Sequence, residues 1–134
     1  MTITFKVTQH FGITTSFKPN ADLTAGQLLA LDNSGEVGPC GTSDTNCFGI
    51  AAEDITAHPV SGHRRNVTVY QGVVEATLKT EGAVTAGATI EPGTTGLIDD
   101  TTGTAAVEDI GIAHEEATGA GEWILCTVLL PKFA

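Results

Sequence analysis

FGIAAEDITA, Phe48 to Ala57, and IGIAHEEATG, Ile110 to Gly119, share five of ten aligned residues. In each, a glycine precedes Ile-Ala, and acids follow two residues later. The likeness spreads outward on both sides. Leu23-Thr24-Ala25-Gly26 matches Val84-Thr85-Ala86-Gly87, and a turn glycine follows in each copy, Ser34-Gly35 and Thr95-Gly96. These two landmarks are 61 residues apart, and the Gly-Ile-Ala triplets are 62 apart. After each triplet, a further glycine (Gly62, Gly121) precedes a long apolar run, NVTVYQGVVEATL or EWILCTVLLP. The spacing predicts one β-unit used twice, about residues 23–78 and 84–131. The glycine before Ile-Ala reads as a bulge or a close backbone crossing, because no other residue leaves room there.

Composition agrees with an all-β reading. The 134 residues are enough for one domain with a real core. Hydrophobic residues make up 41% but aromatics only 5%, and there are 21 threonines and 16 glycines. Thr, Val and Ile suit extended backbone, and glycine suits frequent turns. No stretch reads as an amphipathic helix of normal length. The fold expected is a compact β-barrel or sandwich body over 21–134, preceded by an extended N-terminal arm over 1–20. In the arm, Ile3, Phe5 and Val7 alternate with Thr2, Thr4, Lys6 and Thr8, a period-2 strand with one apolar face.

Two long strands carry further detail. Val67 and Val69 share one parity; Val74, Ala76 and Leu78 share the other, with the switch at Gln71-Gly72. A regular strand cannot exchange its faces, so a bulge or sharp bend is expected at Gly72. The run from Trp123 to Leu130 is apolar on both faces. Such a strand is either central or part of a subunit interface. Trp123, Leu125 and Leu129 are its candidate interface residues.

The charge excludes some partners. Six basic against sixteen acidic residues leave a net charge of −10, which repels phosphate backbones and anionic membranes. Nucleic acid and membrane are therefore not expected partners. MTITFKVTQH is polar and alternating, unlike a secretory signal, and no run of apolar residues is long enough for a membrane helix. Three cysteines do not make a full disulfide framework. Cys40 and Cys47 sit close enough in sequence to bridge if oxidised; the expectation is reduced thiols, with Cys126 as a small core residue.

Chemistry-bearing residues are sparse. His10, His58, His63 and His114 have no metal-ligand spacing, and His114 aligns with Ala52 in the other copy, so a duplicated site would lack one half. Glu53-Asp54 and Glu115-Glu116 do repeat. They read as solvated acids at a strand end, with an acid/base pair or cation site as the alternative. Cys47 with His58, or Ser43 with a distant histidine, are the only nucleophile pairs on offer, without a local signature. His63-Arg64-Arg65, inside an insertion particular to the first copy, is the one basic cluster. Arg64 and Arg65 are either a solvated loop or a contact for an acidic partner.

Taken together, the Ala-Gly starts, "FGIAAEDI", "VTVYQGVVEA" and "IGIAHEEATGAGEWILCTVLLP" resemble the small capsid cement or head-decoration proteins of tailed viruses, over most of residues 21–131. The resemblance implies a non-enzymatic, cofactor-free protein with a β-barrel-like body. It implies a homotrimer made in the host cytoplasm and seated on the outer capsid surface, where it binds the major capsid protein and stabilises the shell. The arm residues Thr2, Ile3, Thr4, Phe5, Lys6 and Val7 then become candidate capsid contacts, adding a strand to an exposed coat edge. The alternatives are a β-barrel binding module for a glycan or a tail or fibre component, and a small hydrolase built on Cys47 or Ser43.

Overall fold

Nine strands form one curled antiparallel sheet among residues 4–41, 47–100 and 109–131, which the computed structural model describes. They are β1 (Val7–Phe17), β2 (Leu28–Leu31), β3 (Val37–Pro39), β4 (Cys47–Ala51), β5 (Val67–Lys79), β6 (Thr89–Pro92), β7 (Ile98–Asp100), β8 (Gly111–Ala113) and β9 (Trp123–Leu130). The sheet runs β3-β2-β4-β5-β9-β8-β6-β7, with β1 laid against β5. The all-β expectation holds, and the barrel takes the form of a curled half-barrel.

The duplication is visible in the pairing itself. β2 pairs with β3 and β4, and β4 with β5; in the second copy β6 pairs with β7 and β8, and β8 with β9. Isolated bridges repeat too: Pro19–Val37 and Leu23–Ile55 recur as Thr80–Ile98 and Val84–Ala117. Gly26 N–H donates to Ala51 O, and Gly87 N–H donates to Ala113 O, both at 2.8 Å. The 61- and 62-residue offsets read from sequence are therefore the offsets of one hydrogen-bond scheme drawn twice.

β5 belongs to both units. Its residues Val69 and Tyr70 pair with β4, while Gly72 to Lys79 pair with β9. Burial switches parity at that change of partner: Val67 and Val69 are buried on one side of it, Val74, Ala76 and Leu78 on the other. Of the bulge or sharp bend expected there, no bulge is present. Register with β1 runs unbroken through Gly72, and the one shift lies between Val7 and Gln9. Gly72 instead takes φ 111°, a backbone that side chains oppose. It faces Gly12 directly, and a Cβ on Gly12 would lie 2.1 Å from Gln71 O. Two glycines let the strands cross closely without a bulge.

The N-terminal segment lies on the body. Phe5 and Val7 pack on the larger core, and Lys6 N–H donates to Thr77 Oγ1 at 2.8 Å. From Val7 to Phe17 the chain is a ladder strand, longer than the alternation over 2–8 suggested. The reason is that β5 has a second edge whose backbone groups need partners. Thr2 and Ile3 lie outside the described residues.

Two cores result. The smaller holds Leu23, Leu29, Val37, Ala51, Ile55, Val67 and Val69, all from the first unit. The larger holds the equivalents from the second unit, such as Val84, Ile90, Ile98 and Ala113, and adds Leu28, Cys40, Cys47 and Ile50 from the first. Thus the outer face of the first unit packs into the second.

Candidate functional site

The repeated acids are anchors for backbone. Glu53 Oε2 accepts from Thr68 N–H at 3.1 Å, and Glu115 Oε1 accepts from Leu125 N–H at 2.7 Å. Each ties its loop to the closing strand of its own unit. Asp54 accepts from Ala25 N–H at 2.8 Å and Asp22 from Ala57 N–H at 2.9 Å, clamping the Leu23–Ile55 bridge from both sides. Asp32, Glu81 and Glu122 do the same at other turns. Turn amides that lack a ladder partner need such acceptors, so much of the acidity serves the fold.

Such bonds hold four of the carboxyls, Asp32, Glu53, Glu81 and Glu122, below their ordinary values. The Thr68 N–H lowers Glu53, with Arg65 adding to it. The Asn20 amide and then Glu36 N–H lower Asp32; the Thr94 hydroxyl and N–H lower Glu81; the Thr118 hydroxyl and Gly119 N–H lower Glu122. Asp99 moves the other way, raised by burial and by Glu81 beside it. A lowered folded value adds stability above the unfolded value, and that stability is lost as pH falls through the folded one; Asp99 opposes the trend. The melting temperature should hold from neutral pH to about pH 5 and fall below it, as acid titrates these groups. Melting curves followed by circular dichroism test this, and a flat profile down to pH 3 would show that the anchors contribute nothing.

The Cys47–His58 pair is divided between core and surface. Cys47 is fully buried in the larger core, while His58 is exposed with its ring 5.2 Å from that of His63. Ser43 lies outside the described residues. Cys40, Cys47 and Cys126 are buried and outside any disulfide, and burial pushes Cys126 up to about 12, with Glu115 adding to it. His114 bonds Thr127 Oγ1 at 2.6 Å, and His10 bonds Gln71 O at 2.8 Å. Among the described residues, no group of three His, Cys, Asp or Glu is placed to hold a metal ion.

The basic pair divides. Arg64 is mostly buried and donates to Glu36 at 2.6 Å, Pro19 O at 3.1 Å and His58 O at 2.7 Å, pinning the 58–65 insertion to the body. Arg65 stays exposed and reaches Glu53 at 3.1 Å.

The candidate interface strand also divides. On β9, Ile124, Cys126, Val128 and Leu130 are buried and form its inner face. On the outer face Trp123 is half-buried, with Phe5 covering the Gly26 turn beside it. A hollow of about 300 Å³ lies there, lined by Thr4, Phe5, Thr24, Ala25, Asp54 and Trp123. Leu125 is half-buried, while Leu129 is 60% exposed. Leu129 pairs with Val73, and Val73 with Phe11, so three apolar side chains cross three strands in one row. Phe11 is 71% exposed and Val73 38%; Ile112 on β8, paired with Thr127, is 48% exposed. Sequence reading singled out Leu129 as a candidate and did not single out Phe11, Val73 or Ile112, the other exposed apolar residues of this face. The period-2 pattern marks apolar positions but not which of them another element covers.

A family model described as phage cement protein matches residues 7–130, from the first residue of β1 to the last of β9. Among solved structures, the N base of head fiber gp8.5 in bacteriophage phi29 is similar, with a TM-score of 0.67 at 17% identity, covering 91% of this chain and 98% of that chain. At that identity the likeness is one of fold. No curated protein matches.

Proposed function

The chain belongs to the phage cement protein family, and from that premise we propose that it binds the outer surface of a phage capsid as a homotrimer, contacts the major capsid protein, and stabilises the shell without catalysis or cofactor. At the coarser level it is a structural virion component. The observation that carries the finer reading is the position of β1. Among the described residues it pairs with β5 alone, so the other edge of an 11-residue strand is open. An open edge offers backbone N–H and C=O groups in alternation, and an extended segment of a coat subunit can complete that ladder with little demand on sequence. Residues 4–6 lead into this edge, and Thr4 and Lys6 are exposed there. Repeated over a shell, weak contacts of this kind add up to firm attachment.

Deleting residues 1–6 tests the reading, since β1 itself begins at Val7. The truncated chain should keep its strand circular dichroism, lose about 1–2 kcal/mol of stability with the Phe5 packing, and cosediment with expanded capsids roughly tenfold less. Undiminished cosedimentation would remove the leading residues from the contact.

A further inference from the structure

We infer that the outer face of the second unit, centred on Ile112, Val73 and Leu129, packs against further copies of this same chain. The inference rests on the proposed role as an oligomeric cement protein and names the surface that joins the copies.

The chain displays its own precedent. In the first unit Leu28 pairs with Ile50 and Ile50 with Tyr70, a row across β2, β4 and β5. In the second unit Thr89 pairs with Ile112 and Ile112 with Thr127, the same row at the same register. The first row is covered: Leu28 and Ile50 have no exposure, and Tyr70 packs on the larger core. What covers it is the second β-unit. The equivalent row is open, with Ile112 48% exposed. A surface whose twin is buried by a β-unit of this kind is suited to receive another such unit. Beside it lies the row Phe11–Val73–Leu129, also uncovered.

Charge selects the occupant. The chain carries −10, so two copies repel through most of their surfaces. Across these two rows the only charged residue is Glu75, which pairs with Thr127 and accepts from Thr8 Oγ1 at 2.7 Å. An apolar, almost uncharged face lets identical acidic chains meet without like-charge contact. Size sets the strength. Two adjacent rows across β1, β5, β9 and the three-residue β8 cover roughly 300 Å² at ordinary strand spacing, well below the ~800 Å² per partner of a stable complex. The contact is therefore weak in free solution and strengthened when copies are held side by side on a shell.

Sedimentation equilibrium of the full chain at hundreds of micromolar tests this, with Leu129→Asp and Ile112→Asp as two separate variants. Both side chains are exposed, so each variant should keep the wild-type circular dichroism and melting; if one does not, the other carries the test. The wild type should show a mass above one chain, and each folded variant should self-associate on the order of tenfold or more weakly. A wild type that stays monomeric at these concentrations, or folded variants that keep the wild-type mass, would overturn the inference. Cosedimentation with capsids separates the two levels. A monomeric chain that still pellets with capsids loses this interface but keeps the cement role. A chain that self-associates through this face and ignores capsids keeps the interface and loses the cement role.

Discussion

Gly111→Ala should cost about 3 kcal/mol or more and lower the melting temperature by roughly 10 °C. The added methyl would lie 1.9 Å from Thr127 O and 2.8 Å from Val128 Cα. Both are backbone atoms of β9, so no side-chain rotation relieves the clash. The β8–β9 ladder of Gly111–Val128, Ile112–Thr127 and Ala113–Cys126 must open instead, and with it the wall of the larger core. Gly111 is not in a left-handed backbone, so the cost is steric. Gly119→Ala is the control, because nothing lies within 4 Å of its added methyl; it should stay within about 0.5 kcal/mol of the wild type. Gly49→Ala should fall between them. Its nearest obstacle, at 2.4 Å, is a side-chain methyl of Val69, which can give way, while Tyr70 O at 2.8 Å cannot. Equal melting of the Gly111 and Gly119 variants would refute the close crossing.

Leu28→Ala should cost 2–5 kcal/mol, in the range for truncating a fully buried leucine. Leu28 has no exposure and sits where the first unit's outer face enters the larger core, among Ile50, Val74 and Leu130. The cavity would open at the joint between the units, where both sides are held by the sheet and collapse is limited. Thr89 occupies the same register in the second unit, pairing with Ile112 as Leu28 pairs with Ile50, but is exposed. Thr89→Ala should change stability by less than about 0.5 kcal/mol. Chemical denaturation of the two variants measures the contrast. Similar losses in both would mean that the two units do not pack as unequal partners.

Much of this was legible in the chain itself. Local rules produced the β class, the two units and their offsets, the close crossing at the Gly-Ile-Ala glycines and the change at Gly72. Each depends on residues within one strand or turn: alternation of side chains, the room a missing Cβ leaves, the preference of Thr, Val and Ile for extended backbone. The bulge or sharp bend expected at Gly72 shows where local reasoning stops. The parity switch was real, but it came from a change of neighbour, β4 to β9, with Gly12 across the strand making room. The acids at 53–54 and 115–116 were read as solvated ends. Their amide partners, at Thr68, Ala25 and Leu125, are brought to them only by folding.

Ile50 and Ile112 mark the boundary most clearly. Both stand in Gly-Ile-Ala, on equivalent strands, at equivalent registers, and the sequence alone makes them one residue used twice. Tertiary structure makes the first a core residue and the second a surface. The same holds for β1, whose alternation was readable but whose place along β5, with one edge filled and one open, was not. A strand's period is set by its own backbone, whereas its burial is set by whichever distant element arrives to cover it. That is why the chain spelled out its repeat and left its exposed face to the fold.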